Sequence, residues 1–308
     1  QFLGDLFEYF LDTSIKQSEG QFFTPMPICK FIVSSLPLAQ QVEYSKTTLR
    51  AIDYACGSGH FLNEYAYQIK HIVQDDENLD VNDFYKNTFG IEKEDRLTKV
   101  AKVAAFMYGQ NDINIIDRDA LEDIEHIEKE SFDVLVANPP FAVEGFLENL
   151  SNKTKNSFSL IKTTGYDSNT DNIQCFFIEK AKQLLAPNGI TGLIVPATIL
   201  NNTDKTHIRT REILLQYFNT VAIVELGSHT FGKTGTNTVI LFLQRKYERP
   251  EPAEHYYNRI LDFFEGIDSE HDIQTDIYRD WHIVKAYCQH IDIDINDYET
   301  LLLSLIHI

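Results

Sequence analysis

An apolar run, Phe132-Asp133-Val134-Leu135-Val136-Ala137, stops at Asn138-Pro139-Pro140-Phe141. That junction limits the fold more than any other feature of the chain. Proline has no N–H, fixes φ, and drives the residue before it out of the α region. The run can therefore continue neither as strand nor as helix, and it reads as a buried strand with a stiff exit loop. Open α/β sheets place their ligand sites outside the carboxyl ends of such strands. Asn138 carries an amide oxygen that can accept a hydrogen bond from an amino group, and Phe141 carries a flat face for stacking. The pairing suits capture of a nucleobase amine. An Asn-Pro pair also opens ordinary turns, so the motif taken alone fits a plain strand exit as well.

Upstream, residues 49–54 read as a short strand. Ala55-Cys56-Gly57-Ser58-Gly59-His60 follows, then helix-like spacing over 61–69. Strand, Gly-x-Gly turn and helix form the first unit of a nucleotide-binding fold, in which glycine allows close backbone approach and the helix N-terminus presents N–H groups. A dinucleotide fingerprint needs a third glycine at position 62, which is leucine here. A smaller adenosine ligand without a pyrophosphate fits better. The spacing predicts further strands at 88–92, 113–121 and 190–195, and helices at 95–108, 173–185 and 206–218. Pro187-Asn188-Gly189 stops the 173–185 helix, and Leu3, Leu6, Phe7 and Phe10 outline an amphipathic helix at the start. Alternating strands and helices indicate a doubly wound α/β domain.

Two segments need separate readings. Gly227-Ser-His-Thr-Phe-Gly232-Lys233-Thr234 matches a phosphate loop in letters, but the sequence after it, from Gly235 to Gln244, is rich in Thr, Val and Ile and favours a strand, not a helix. Residues 220–244 are therefore expected to form a hairpin with a long polar turn. Residues 142–172 are polar and rich in Ser, Thr and Asn, and are expected to form a long loop. Lys153, Lys155 and Lys162 there could meet phosphates, or simply be solvated.

Asp53-Tyr-Ala-Cys-Gly-Ser-Gly-His-Phe-Leu62 resembles the cofactor motif of N6-adenine DNA methyltransferases, whose common form is D-P-A-C-G-S-G-G-F. Gln21-Phe22-Phe23-Thr24-Pro25 resembles the cofactor motif that precedes it in that family, and Asn138-Pro139-Pro140-Phe141 resembles the catalytic motif. Their order is that of modification subunits of type I restriction systems and of related fused restriction–modification enzymes. The resemblance runs from about Phe2 to Lys246. It implies a Rossmann-like S-adenosylmethionine-dependent methyltransferase sheet with a C-terminal antiparallel hairpin and flanking helices. It also implies S-adenosyl-L-methionine as cofactor and methyl transfer to the N6 amine of adenine in DNA. Asn138, Pro139, Pro140 and Phe141 are then the catalytic group. Gln21 to Pro25, Asp53, Ala55, Gly57, Ser58, Gly59, His60 and Asn138 are then cofactor residues. By the same resemblance Glu92 binds the ribose hydroxyls and Asp119 the adenine amine, with Asp117 second for that role; each acid could instead be a solvated loop residue. Tyr54 stands where proline is usual and His60 where glycine is usual. Asn-Pro-Pro-Phe also occurs in RNA guanine-N2 and protein glutamine methyltransferases, and a non-catalytic cofactor-binding subunit is a third reading. No metal is expected.

Charge bears on partners. The chain carries a formal −19, and residues 250–300 hold 13 Asp/Glu against 3 Lys/Arg. A DNA-binding chain normally shows a basic footprint, so this one is expected to grip DNA poorly alone. The resemblance implies a specificity subunit or a C-terminal target-recognition domain, and possibly a restriction subunit. The four cysteines, Cys29, Cys56, Cys175 and Cys288, form no CxxC pair, which fits reduced thiols in a cytoplasm. No apolar run is long enough for a membrane helix. The expected organisation is an N-terminal helical segment at 1–40, a catalytic domain at 41–247 and an acidic extension at 248–308. A start at Gln1 and an apolar end at Ile308 suggest a fragment of a longer protein.

Overall fold

The computed structural model describes residues 24–45, 48–164, 172–227, 230–231, 236–247 and 276–306. It divides into two compact units, Gln1–Glu248 and Arg249–Ile308. In the first, α1 (Met26–Ser35) and α2 (Leu38–Ser45) precede β1 (Ala51–Asp53), α3 (His60–Val73), α4 (Val81–Lys86), β2 (Thr88–Glu92), α5 (Asp95–Met107), β3 (Asn114–Asp117) and β4 (Phe132–Ala137). A 3-10 turn (Phe146–Asn149), α6 (Asn152–Ser157), α7 (Ser159–Thr164), α8 (Ile173–Leu184), β5 (Leu185–Pro196), α9 (Thr198–Asn201), α10 (Lys205–Tyr217), β6 (Phe218–Leu226) and β7 (Thr238–Arg245) complete it.

Local chemistry fixes several boundaries. Proline caps α1 at position 25, and the helix stops at Leu36, just before Pro37. Asp80, Glu94 and Asp204 cap α4, α5 and α10 by accepting first-turn N–H groups, each satisfying donors that the helix itself leaves open.

The strands form one seven-stranded sheet in the order β3-β2-β1-β4-β5-β7-β6. β7 runs antiparallel to both of its neighbours, and the pairs β3-β2-β1-β4-β5 are parallel. This is the doubly wound architecture with a terminal antiparallel hairpin that the sequence predicts. Alternation along the strands separates two apolar layers. Val134, Val136, Ile194, Ile240 and Phe242 face Cys29 and Ile32 of α1 and Phe61 and Tyr65 of α3. Leu135, Ala137, Leu193, Val195 and Leu241 face Phe176 and Ile178 of α8 and Ile213 of α10. Helix α1 thus shares the core of the sheet.

A third apolar group, Cys56, Leu62, Ala101 and Ile115, fills the β3 side. Gly90 of β2 is wedged there: a Cβ would lie 2.6 Å from Leu62 Cδ1 and 2.9 Å from Ile115 Cδ1. Overpacking of this kind costs about 1–3 kcal/mol. Gly90→Ala is therefore expected to lower the thermal midpoint by roughly 2–10 °C; an unchanged midpoint would show that Leu62 yields freely.

Two expectations are corrected. Residues 142–164 are not an open polar loop: the 3-10 turn, α6 and α7 occupy them, and Phe146, Leu147, Leu150, Phe158, Leu160 and Ile161 are buried in the α8 layer. Their apolar residues come in short clusters that show no clear helical period, so the polar background masks them. Glu122 fastens this segment by accepting from the Ser151 and Thr154 hydroxyls. Buried Lys180, its amine pushed down to about 8 chiefly by desolvation, holds the Leu121 and Glu122 carbonyls. The second correction concerns β5, which begins at Leu185 rather than near 190. Pairing passes from Phe132↔Leu185 to Val134↔Ile190 across an irregularity, with Asn188 left-handed at φ 65. Pro187-Asn188-Gly189 thus interrupts the register without ending the strand. The expected helix at Leu3–Phe10 and positions 228–229 and 232–234 of the phosphate-loop look-alike lie outside the described residues. Among those described, no helix is long and apolar enough to cross a membrane.

In the second unit, α11 (Asp276–His290) and α12 (Ile295–Ile306) meet through Tyr287 and Tyr298, ring centroids 6.0 Å apart.

Candidate active site

Connections leave β1 toward β2 and β3 on one side, and β4 lies on its other side. The loops beyond β1 and β4 diverge at this switch in direction, which opens a crevice at the carboxyl ends of the strands. A cavity of about 390 Å³ lies there, with Ala55 and Gly57 after β1, Glu92 at the end of β2, Asp119 after β3, and Asn138 and Pro140 after β4 on its walls. Residues far apart in sequence thus meet at adjacent strand ends.

The β1 loop is shaped by its own hydrogen bonds. Asp53 Oδ1 accepts the Ala55 N–H at 3.0 Å, the Cys56 N–H reaches the Ile91 carbonyl, and the Gly59 N–H reaches the Cys56 carbonyl. Gly57 at φ 52 and Gly59 at φ 85 are left-handed, a conformation glycine adopts without steric cost. Among the described residues, a Cβ at Gly57 would meet no atom within 4 Å beyond its chain neighbours, so none of them fills the space at that point. Glu92 ties the β2 end to it: Oε2 accepts the Gly57 N–H at 3.0 Å and Oε1 the Glu94 N–H at 2.9 Å.

Two acids here are electrostatically uncomfortable. Burial pushes the Asp53 carboxyl well above the ordinary carboxylate range; the Ala55 N–H opposes the shift and the Glu92 charge adds to it. Burial also raises Glu92, against the N–H bonds it accepts. Asp53 Oδ2 has no hydrogen-bond partner among the described residues. A cation lodged nearby would relieve both groups. With its folded value raised, Asp53 favours the folded state at acid pH and loses that advantage as pH climbs through the folded value. Asp53→Asn is therefore expected to raise the thermal midpoint of the ligand-free protein at pH 7, by a few degrees, with the gain shrinking toward pH 4. An unchanged or lower midpoint at pH 7 would contradict this electrostatic account.

Asp119, on the cavity wall, accepts the Leu121 N–H through Oδ1 and pairs with Lys93 through Oδ2, both at 3.0 Å. Lys93 lines the cavity too. Asp117 ends β3 half-buried and lies outside the lining.

The Asn138 amide donates from Nδ2 to Thr24 Oγ1 at 3.1 Å. The Thr24 carbonyl in turn lies 3.4 Å from His60 Nδ1. The described part of the first motif thus touches both the catalytic motif and the β1 loop. Pro139 is buried and Pro140 lines the cavity. Gln21, Phe22 and Phe23 lie outside the described residues, and Pro25 is exposed at the head of α1.

Phe141 is the clearest departure. It is 6% exposed, packed with Val136 and Phe61 in the α1–α3 layer, and absent from the cavity wall. It is not presented as a stacking platform because that apolar layer absorbs its ring. Ser58 and Gly59 are buried behind the loop, and His60 faces a second cavity of about 250 Å³ beside Met26, Lys30 and Asn63. The aromatic walls of the main cavity are instead Tyr54, Phe146 and Phe177. The Tyr54 hydroxyl donates to the Phe177 carbonyl at 3.0 Å and the two rings lie 5.1 Å apart, so the tyrosine standing where proline is usual bridges β1 to α8. Ile173 and Phe177 could have been found from their i, i+4 spacing on a predicted helix. Lys93 and Arg118 gave no sequence signal. Among the described residues, no group of three His, Cys, Asp or Glu is placed to hold a metal ion.

Residues 1–300 match the N-6 DNA methylase family. The type II methyltransferase M.VspI of Vibrio sp. (strain 343) is 27% identical over 236 residues, covering 73% of this chain and 48% of that protein. Among solved structures, the M protein of the type I restriction enzyme EcoKI superposes with a TM-score of 0.57 at 22% identity, over 75% of this chain and 45% of its own. A putative class I S-adenosylmethionine-dependent methyltransferase from Listeria monocytogenes superposes with a TM-score of 0.59 at 16% identity, over 84% of this chain and 74% of its own. The chain spans about half the length of M.VspI and of the EcoKI M protein.

Proposed function

We propose, from the premise that the chain belongs to the N-6 DNA methylase family, that it transfers a methyl group from S-adenosyl-L-methionine to the N6 amine of adenine in DNA. The observation that carries this reading is the convergence of the Gly57 loop and the Asn138 amide on one crevice.

The residues present fit the cofactor. The space beside Gly57 allows close approach, the raised acids Asp53 and Glu92 would be relieved by a sulfonium, and Glu92 and Asp119 offer carboxylate oxygens for ribose hydroxyls and an adenine amine. When bound, the cofactor supplies an electrophilic methyl group. What the chain must add is alignment, which in the best intramolecular cases is worth about 7–11 kcal/mol. The exocyclic amine of adenine is conjugated and weakly nucleophilic. Thr24 holds the nitrogen end of the Asn138 amide, which orients the oxygen end as the acceptor. Hydrogen bonds from the amine to Asn138 Oδ1 and to the Pro139 carbonyl would expose its lone pair and stabilise positive charge developing on it. The base must first leave the duplex, at a cost of a few kcal/mol. Asn138 and Pro139 are the acceptors in this mechanism, Pro140 stiffens the loop, and Phe141 anchors it from the core.

DNA is the macromolecular partner, with a specificity subunit or a further target-recognition domain supplying the basic contact surface that the −19 chain does not itself supply. The restriction–modification setting, with a restriction subunit as a further partner, is supported by the kinship with M.VspI and the EcoKI M protein. A cytoplasmic location is supported by cysteines that are all free thiols. The test offers labelled cofactor to DNA, RNA and protein in parallel, with and without the specificity partner. Label in DNA supports the proposal; label only in RNA guanine or protein glutamine would transfer the site to the alternative substrates.

A further inference from the structure

Ala142, directly after the Asn-Pro-Pro-Phe motif, has φ +52. Non-glycine residues seldom adopt this left-handed conformation, and such strain persists only where the surroundings enforce it. The enforcing contact is on α8: Gln174 Oε1 accepts the Ala142 N–H at 3.3 Å. Gln174 is 5% exposed on a helix whose neighbouring residues Ile173, Cys175, Phe176 and Phe177 are buried and apolar. A polar side chain is rarely placed so deep without a hydrogen-bonding purpose.

The turn has a clear geometric task. Phe141 packs into the α1–α3 layer, whereas Phe146 and Leu147 pack into the opposite, α8 layer. The chain must cross from one face of the sheet to the other within these few residues. Ala142 sits at the crossing, between Pro140 and Val143, which both line the main cavity along with Asn138.

We propose that Gln174 is a positioning residue for methyl transfer: it latches Ala142 in the left-handed turn and so fixes the Asn138 and Pro139 acceptors toward the crevice. This rests on the methyltransferase reading above, but the latch itself can be tested without it.

The decisive experiment is a double-mutant cycle of Gln174→Met and Ala142→Gly, read in two ways. Methionine keeps the volume and removes the acceptor; glycine takes positive φ without steric cost. In methyl transfer, Gln174→Met should lower kcat on the order of tenfold to a hundredfold with cofactor affinity unchanged. Adding Ala142→Gly should restore several-fold of it, which a simple packing defect at 174 would not allow. In thermal unfolding of the ligand-free protein, the two changes should be non-additive by about 2 °C or more. Additive midpoints would overturn the latch whether or not the protein methylates DNA. Non-additive midpoints with an unchanged kcat would keep the turn and overturn its role in positioning. If Gln174→Met does not fold, Ala142→Val breaks the same turn from the other side and should show the same loss of kcat at constant cofactor affinity; retention of kcat there would overturn the proposal.

Discussion

Asn138→Ala is expected to slow methyl transfer by about 10²–10³-fold while leaving S-adenosylmethionine affinity within a few-fold. The amide reaches from the end of β4 to both the crevice and Thr24. Its removal takes away an acceptor needed when charge develops on the attacking nitrogen, and that interaction strengthens in the transition state. Interactions of this kind lower kcat when lost and leave ground-state binding nearly intact. Single-turnover rates and calorimetric titration with the cofactor separate the two effects. Loss of binding in step with the rate would assign Asn138 to the cofactor alone. Asn138→Asp keeps an acceptor oxygen and should retain more activity than alanine, although it no longer donates to Thr24.

Gly57→Val is expected to do the reverse and weaken cofactor binding on the order of 10²-fold or more. Gly57 is left-handed at φ 52, where a β-branched residue is a genuine outlier. Among the described residues, no atom beyond the chain neighbours stands within 4 Å of a Cβ there, so the valine would occupy space that the reading assigns to the cofactor. Any backbone shift to relieve the strain would also disturb the Gly57 N–H on Glu92. Calorimetry gives the affinity, and a cooperative thermal transition shows that the variant is folded. Unchanged affinity would remove the β1 loop from the cofactor site.

Much of this architecture is legible from local rules. The proline pair at 139–140 ends β4 where the sequence predicts, and β2 spans Thr88–Glu92 as predicted, because both are short apolar runs with clear stops. Asn138 could be nominated from the strand exit it occupies and Asp119 only through resemblance; nothing local says that they share a crevice, since strand order decides it. The differences have physical causes. An aromatic beside a loop looks available for stacking, yet Phe141 packs into the neighbouring apolar layer. The 142–172 segment reads as a loop because the buried residues of its described part, such as Phe146 and Leu160, are outnumbered by polar ones and obey no single period. The Gln174–Ala142 contact spans 32 residues, and no motif announces it.

The central claim is most directly tested by incubating the protein, with and without the proposed specificity partner, with S-adenosylmethionine and unmethylated genomic DNA, then identifying the digested nucleosides by mass spectrometry. The account predicts N6-methyladenine, lost with Asn138→Ala. Methylated cytosine in place of N6-methyladenine, or no methylated base despite measured cofactor binding, would contradict it.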